Sequence, residues 1–238
     1  MRMGRIFFYA GIVAAILSLA GCGGTDVVPR DNSGTKVGVA MPAQQLLRWN
    51  RDGAYLETEL RGRDFDVDIM FADNDAEKQK TQLEQMIGEG CKVLVIAAVD
   101  GDVLRPVIER AQKAGVTVIA YDRLLMGTDA VDYYATFDNY LVGKIQGQYI
   151  ADKLGLAEGK GPFNLEISTG PMDDNNVNFF FGGAMDVLKP YIEKGQLVVR
   201  SGQMTREQCA TPNWDEAKAQ ERMDNILTTY YTGANVDA

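Results

Sequence analysis

The sequence contains no histidine and only three cysteines among its 238 residues. Histidine is the commonest general base in enzymes and the commonest metal ligand, so its absence removes hydrolase triads and the usual metal sites. The cysteines Cys22, Cys91 and Cys209 are far apart and form no Cys-X-X-Cys motif, which leaves a metal site without support. No GxGxxG follows the first predicted strand, and no GxSxG occurs. We therefore predict a protein that is not an enzyme and holds neither cofactor nor metal.

Positive charge is also scarce, with 24 Lys and Arg against 33 Asp and Glu, a formal net charge of -9. Nucleic acids and anionic lipid surfaces both require a basic face, so neither is a predicted partner. The length, with 46% hydrophobic residues, is sufficient for one large or two modest cores.

The N-terminus has the pattern of a bacterial lipoprotein signal. Arg2 and Arg5 precede an apolar run over residues 6–19, which is short for a membrane span and right for a signal-peptide core. The run closes with Leu-Ala-Gly before Cys22, which resembles the box whose cysteine is lipidated after cleavage. We predict a signal peptide over residues 1–22, a lipid anchor at Cys22, a polar linker over 23–35 and an extracytoplasmic location. An uncleaved anchor helix is the alternative.

Strands and helices alternate from Lys36 onward. The first five predicted strands are Lys36–Ala40 (continuing through Met41 to Pro42), Phe65–Phe71, Val93–Ala98, 116–121 and Asp132–Phe137. Strict alternation with short connections predicts a parallel sheet covered by helices on both faces. A second round follows, with helices over 139–154, 175–188 and 215–231, strands over 163–167 and 197–199, and the opening of another strand at Val236. The predicted fold is α/β with two Rossmann-like lobes, residues 36–137 and 138–238, the second of them incomplete.

Several local details are predicted as well. Asn74 and Glu77 have the spacing of a capping box at the start of the second helix. In the helix over 139–154, the predicted inward residues are Val142, Ile145, Tyr149 and Ile150. The helix over 175–188 is expected to stop before Pro190. Cys91 and Cys209 fall in different lobes, so no disulfide is expected.

Polar and indole side chains gather just beyond the predicted strand ends, where open parallel sheets bind ligands. They are Arg48 and Trp49, Asp122 and Arg123, Asp138 and Asn139, the run Asp174, Asn175 and Asn176, and Trp214, with Gln44 and Gln45 as weaker candidates. Carboxylates, amides and guanidinium groups bridge neighbouring hydroxyls, and an indole face covers the C–H face of a sugar ring. The pattern favours a monosaccharide site between the two lobes.

Each of these residues also has a purely structural interpretation. Asp122 and Arg123 also fit a surface salt bridge or a turn after a strand, and Trp49 also fits helix core. Asp138, or one residue of the run at 174–176, reads as a helix cap. Trp214 reads as a packing residue at a helix start.

The ordered set of motifs resembles the periplasmic sugar-binding receptors of ABC importers, above all the xylose-binding and multiple-monosaccharide-binding branch with the type I fold. The matching stretches are 48–49, 118–123, 137–139, 142–143, 174–176, 185–191, 211–215 and 219–223. The resemblance runs from about Lys36 to the last residue. Family members continue through further βα units after the position of Ala238, so we expect the chain to be truncated.

The resemblance implies a role for each candidate. Hydrogen bonds to the sugar are implied for Arg48, Asp122, Arg123, Asp138, Asn139 and Asn176, with Asp174 and Asn175 as weaker candidates. Trp49 and Trp214 would stack on the sugar or wall the pocket. The implied ligand is a monosaccharide of the xylose, glucose or galactose type, and the implied partner is an ABC transporter permease that receives it from a monomeric binding protein.

Three other functions remain open. A sugar-sensing receptor would use the same closed form to signal to a membrane partner. The effector-binding lobe of a transcriptional repressor shares this fold, but it requires an N-terminal DNA-binding helix pair where this sequence has its lipoprotein signal. A sugar isomerase would require a catalytic base that the predicted cleft lacks.

Overall fold

The computed structural model of the protein describes residues 31–238. The predicted signal peptide over 1–22, the lipidated Cys22 and the linker as far as residue 30 lie outside the described residues. At the end of the linker, the Asn32 amide donates a 2.9 Å hydrogen bond to the carbonyl oxygen of Arg63, so this segment packs against the folded chain.

The predicted parallel sheet is confirmed. The elements of the first part are β1 (Lys36–Met41), α1 (Leu47–Arg61), β2 (Asp66–Phe71), α2 (Ala76–Gly88), β3 (Val93–Ile96), α3 (Gly101–Lys113), β4 (Thr117–Tyr121) and β5 (Tyr133–Ala135). The five strands are parallel, in the order β2-β1-β3-β4-β5. In this register Ala40 pairs with Ile96, and Ile96 with Ala120. The carboxyl ends of β1, β3 and β4 therefore meet at one edge of the sheet.

Side-chain alternation along β1 divides the core between the two faces of the sheet. Val37, Val39 and Met41 belong to a cluster that includes Trp49 of α1. Ala40 points the other way, into a cluster formed with α2 and α3 side chains such as Leu104. Burial on both faces explains why these strands read as continuous apolar runs.

The second part of the chain contains a smaller sheet and four helices. Its elements are α4 (Asn139–Leu154), β6 (Phe163–Asn164), α5 (Asn176–Glu193), β7 (Leu197–Val198), α6 (Arg206–Cys209) and α7 (Glu216–Tyr230). Strands β6 and β7 are parallel. The predicted strand at Val236 is not formed, although the Asp237 and Ala238 amides donate to the carbonyl oxygen of Asn164 in β6, at 2.9 and 3.2 Å. The predicted fold class is confirmed.

The predicted inward face of α4 is wrong for Ile145 and Tyr149, which are 58% and 63% exposed. The buried residues of this helix include Gly143, Gly147 and Ala151. Helix α4 packs so closely on α5 that a Cβ on Gly143 would lie 2.1 Å from a carbonyl oxygen of α5. Small residues therefore form the closest contacts of this helix interface, and Ile145 and Tyr149 lie outside it.

Two predicted helix boundaries are also corrected. The N-cap of α2 is Asp75, whose carboxylate accepts a 3.0 Å hydrogen bond from the Lys78 amide, and Asn74 lies outside the helix with φ 60°. Helix α5 passes through Pro190 and ends beside Gly195, which has φ 74°. Proline removes only one hydrogen bond near the end of a helix, whereas a left-handed glycine redirects the chain.

Candidate functional site

A pocket of about 300 Å³ lies beyond the carboxyl edge of the five-stranded sheet. Its walls come from the start of α1, the turn after β4, the segment after β5, the start of α5 and the residues around the start of α7. The lining residues are Leu46, Leu47, Arg48, Trp49, Asp122, Arg123, Phe137, Asp174, Asn176, Phe180, Trp214 and Glu216. Seven of the ten predicted ligand-binding residues are in this set: Arg48, Trp49, Asp122, Arg123, Asp174, Asn176 and Trp214.

Asp122 occupies a tight turn at the end of β4. Its φ is 60°, and the amide of Arg123 donates a 2.7 Å hydrogen bond to the carbonyl oxygen of Tyr121 across it. This is a γ-turn, and aspartate is one of the few non-glycine residues that tolerate a left-handed backbone. The Asp122 amide also donates to the carbonyl oxygen of Ala135 at 2.8 Å, which extends the pairing of β4 with β5. The backbone of Asp122 is therefore held in the sheet, while its carboxylate takes no part in the pairing of the strands.

The carboxylate of Asp122 forms an ion pair with the guanidinium group of Arg48, which α1 carries. Partial burial tends to lower the pKa of Arg48, but the hydrogen bond and the charge of Asp122 outweigh it, and the net pKa is raised. Asp52, one turn along α1, also lies 3.6 Å from Nε of Arg48. Two carboxylates thus hold the guanidinium group of Arg48 at the pocket.

A second ion pair joins Arg123 to Asp174, with 3.3 Å between Nε and Oδ2. The Arg123 Nη1 donates a 2.8 Å hydrogen bond to the carbonyl oxygen of Ala98, while its Nε has no partner in hydrogen-bond geometry among the described residues. Burial lowers the pKa of Arg123, and the charge of Asp174 opposes that shift. The pair links the turn after β4 to the segment that leads into α5.

The two tryptophans of the chain both line the pocket but differ in burial. Trp49 is buried in the core beside β1, and the Cζ atoms of Arg48 and Arg123 lie 4.5 and 5.4 Å from its ring centroid. It therefore serves both as helix core and as pocket wall. Trp214 is part-exposed, and its indole Nε1 donates a 3.1 Å hydrogen bond to Oδ2 of Asp174. That bond orients the indole at the pocket.

Three predicted ligand residues do not line the pocket. Asp138 is exposed and caps α4 by accepting a 2.9 Å hydrogen bond from the Leu141 amide. The Asn139 amide donates to the hydroxyl of Tyr134 at 3.2 Å, and its Oδ1 is buried without a partner among residues 31–238. Asn175 donates instead to the carbonyl oxygen of Leu124 at 3.0 Å. A sugar-binding role for these three stays a prediction from the resemblance. Gln44 and Gln45 are exposed and outside the pocket wall.

The sequence interpretation missed the apolar part of the wall. Phe137 and Phe180 form a pair with ring centroids 6.2 Å apart and an interplanar angle of 27°. Phe180 lies one helical turn after Asn176, so helical spacing places both on one face of α5. Phe137 directly precedes a predicted ligand. Leu46, Leu47 and Glu216 were missed as well, and no signal distinguished them from ordinary surface positions.

Over residues 31–238, the chain contains no group of His, Cys, Asp and Glu arranged to hold a metal ion. A search of the same residues for a helix with the length and apolar character needed to cross a bilayer finds none. Cys91 and Cys209 are both buried as free thiols, and burial raises the pKa of each.

Parallel α/β elements with a pocket beyond the strand ends match the type I fold of periplasmic binding proteins. A family model described as a periplasmic binding protein domain matches residues 37–238, and the chain belongs to this family. This is a family of binding proteins, and the resemblance seen in the sequence is confirmed.

Among curated relatives, the chain is 52% identical over 202 residues to the multiple sugar-binding periplasmic receptor ChvE of Rhizobium radiobacter. It is 33% identical over 193 residues to the D-xylose-binding periplasmic protein of Escherichia coli. These alignments cover 85% and 81% of this chain, and 57% and 54% of the two relatives. The chain thus spans little more than half the length of the curated relatives it matches.

Solved structures of solute-binding proteins also match this chain over part of their length. An ABC transporter solute-binding protein from Clostridium phytofermentans, with β-D-glucose bound, is 55% identical and superimposes with a TM-score of 0.83. The match covers 85% of this chain and 63% of that one. A carbohydrate transporter solute-binding protein from Chloroflexus aurantiacus, in complex with D-glucose, is 35% identical with a TM-score of 0.71, over 81% of this chain and 60% of that one.

Proposed function

We propose that the protein is an extracytoplasmic solute-binding lipoprotein that binds a monosaccharide of the glucose, galactose or xylose type and delivers it to the permease of an ABC importer. One observation carries the proposal: two ion pairs, Arg48–Asp122 and Arg123–Asp174, and two tryptophans, Trp49 and Trp214, converge on a single pocket of about 300 Å³.

The chemistry of the pocket suits a neutral polyol. Each ion pair offers guanidinium donors beside carboxylate acceptors, which is what two adjacent hydroxyl groups require. Because each charge is already matched by its partner, the ligand need not bring a charge of its own. The indole of Trp214 and the rings of Phe137 and Phe180 supply flat apolar surface for the C–H groups of a sugar ring.

Closure around the ligand is the proposed mechanism. The lobes proposed over 36–137 and 138–238 contribute opposite walls, with Arg48, Trp49, Asp122 and Arg123 on one side and Asp174, Asn176 and Trp214 on the other. A sugar that bonds to both sides stabilises the closed arrangement relative to the open one, and a permease can then recognise the closed form.

The relatives support this proposal, because their names assign them multiple sugars, D-xylose and D-glucose. A sensing role is the second candidate, favoured by one relative that is called a receptor. Uptake of radiolabelled sugar separates the two roles. Deletion of the gene should abolish uptake at low sugar concentration if the protein serves a transporter, and should leave uptake intact if it serves only a sensor.

The lipid anchor is proposed from Cys22 and the apolar run before it. Labelling cells with a radioactive fatty acid should mark the wild-type protein and not the Cys22→Ser variant. Equal labelling of both proteins would remove the anchor from the proposal.

Binding itself is tested by calorimetry on the purified protein with D-glucose, D-galactose, D-xylose and D-ribose. We expect saturable binding of at least one of these sugars and its loss in Trp214→Ala. Arg110→Ala is the matched control. Arg110 of α3 forms a surface ion pair with Glu84 of α2 and does not line the pocket. Absence of binding by the wild-type protein to the whole sugar panel would contradict the proposal.

A further inference from the structure

The side chains of two adjacent asparagines at the start of α5 form hydrogen bonds with the backbone of the turn after β4. The Asn175 amide donates a 3.0 Å hydrogen bond to the carbonyl oxygen of Leu124. The Asn176 amide donates to the carbonyl oxygen of Asp122 at 2.8 Å, and its Oδ1 accepts from the Leu124 amide at 3.0 Å. Three side-chain hydrogen bonds thus join the second part of the chain to one short backbone segment of the first.

The carbonyl oxygen of Asp122 is the centre of this contact. Besides Asn176, it lies 2.8 Å from the hydroxyl of Tyr134 and 3.3 Å from the hydroxyl of Thr136, both of which can donate to it. The Tyr134 hydroxyl also lies 3.2 Å from Oδ1 of Asn176. A left-handed aspartate turn is costly unless its surroundings hold it. Donors from the end of β5 and from α5 therefore hold Asp122 in the conformation that directs its carboxylate toward Arg48.

The side chain of Asn176 is largely committed to these bonds. It is buried, its Oδ1 accepts a hydrogen bond from the Leu124 amide, and one amide hydrogen points to the Asp122 carbonyl. Asparagine offers two acceptor lone pairs and two donors, so at most one N–H and one lone pair remain for a ligand. None of these bonds requires a sugar.

We propose that Asn175 and Asn176 form a latch, which seats α5 on the turn at residues 122–124 and positions Asp122 before a sugar arrives. They are positioning residues in this view, and the sugar ligands of this region are Asp122, Arg123 and Asp174. The latch biases the protein toward the arrangement in which both walls of the pocket face each other. This inference rests on the proposed function only for its effect on sugar affinity.

The chain offers a direct probe of the seating, because it contains only two tryptophans. The full-length protein labelled with 5-fluorotryptophan should give two ¹⁹F resonances, assigned by Trp49→Phe and Trp214→Phe. Trp214 reports on the latch, because its indole bonds to Asp174, immediately before Asn175. We expect the sugar-free Asn176→Ala variant to shift the Trp214 resonance or split it into two states. Its affinity for D-glucose or D-xylose should fall roughly 5- to 50-fold, as expected for a coupling of this kind.

Two further variants refine the test. Asn176→Asp keeps the acceptor for the Leu124 amide and loses the donor to the Asp122 carbonyl oxygen. Its ¹⁹F spectrum should therefore lie between those of the wild type and Asn176→Ala. This variant also provides the test if Asn176→Ala does not fold. Asn178→Ala is the matched control in the same helix turn, because its side chain is exposed and accepts a hydrogen bond from Arg206 rather than bonding to the turn at residues 122–124. It should leave both the spectrum and the affinity at wild-type values.

The outcomes separate the latch from the sugar site. An Asn176→Ala variant that keeps the wild-type sugar-free spectrum would overturn the latch, and a loss of affinity in that case would make Asn176 a direct sugar ligand. If the wild-type protein binds no sugar of the panel, the proposed function fails. The sugar-free spectra of Asn176→Ala and Asn178→Ala still decide whether the latch exists.

Discussion

Arg123 and Asp174 form an ion pair in which each side chain is only 5% exposed, and the pair joins the end of β4 to the start of α5. Removing one partner leaves the other charge buried and uncompensated. We therefore expect Arg123→Met to lower the free energy of unfolding by about 3–5 kcal/mol, measured by urea denaturation.

The surface pair Arg110–Glu84 is the control for that experiment, because both of its side chains are well exposed. Arg110→Met should change the free energy of unfolding by less than about 1 kcal/mol. If the two substitutions lowered the free energy of unfolding equally, burial of the Arg123–Asp174 pair would not determine how much the pair contributes to stability.

Asp122 should matter for affinity more than for folding. Asp122→Asn keeps the shape of the side chain but removes the charge that faces Arg48, so it weakens the ion pair and, under the proposed function, the acceptor offered to a sugar hydroxyl. We expect a loss of about 2–4 kcal/mol of binding free energy, or roughly 30- to 700-fold in Kd, by calorimetry. Asp52→Asn is the matched control, since Asp52 approaches Arg48 from α1 and does not line the pocket. Similar losses from the two variants would point to the charge of Arg48 rather than to a contact of Asp122.

Asp138 has two competing interpretations, as a sugar ligand and as a helix cap. Its resemblance to family ligands implies sugar contact, whereas its carboxylate caps α4 through the Leu141 amide. From the geometry we expect Asp138→Ala to lower the free energy of unfolding by about 1 kcal/mol and to leave sugar affinity nearly unchanged. Asp138→Ser, which restores a capping oxygen, should recover the stability. A large loss of affinity with unchanged stability would favour the ligand role instead.

The first sheet could be predicted from sequence because its determinants are local. Continuous apolar runs mark β1, β3 and β4, and Gly115 marks the end of the preceding helical segment. The α2 cap was predicted one residue early because Asn74 and Asp75 are both good caps. What distinguishes them is the left-handed backbone of Asn74, which the sequence does not reveal.

The second part was harder to predict because its packing depends on another helix. Ile145 and Tyr149 have the spacing of a buried face, but the close approach of α4 to α5 is set by glycines such as Gly143. In the pocket, the polar residues after strands could be identified as candidates because open parallel sheets bind ligands beyond the carboxyl ends of their strands. Phe180 was not, because an apolar residue in a helix is more often core than pocket wall.

Tyr231 should make stability depend on pH in the alkaline range. Burial and a 2.7 Å hydrogen bond to Glu166 raise its pKa from 10 to about 12. Because the folded-state pKa lies above the unfolded one, the stabilisation is complete below pH 10 and is lost as the pH rises through about 12. The wild-type free energy of unfolding should therefore fall between these pH values more steeply than that of Tyr231→Phe, by denaturant titration at each pH. Parallel pH profiles for the two proteins would contradict this account.

The contact between α4 and α5 gives a prediction that needs no ligand. A Cβ on Gly143 would lie 2.1 Å from the carbonyl oxygen of Phe180 and 3.0 Å from the amide nitrogen of Ala184, so the two helices must separate to accept it. We expect Gly143→Ala to lower the free energy of unfolding by about 3 kcal/mol.

Gly88 provides the matched control, because it is also a helical glycine and a Cβ there would meet no atom within 4 Å. Gly88→Ala should raise the free energy of unfolding by about 0.5–1 kcal/mol, since alanine loses less backbone entropy on folding than glycine. The two substitutions make the same chemical change with opposite expected signs. If Gly143→Ala were as stable as the wild type, α4 and α5 could not be packed as closely as described, and the seating of α5 beside the pocket would have to be different.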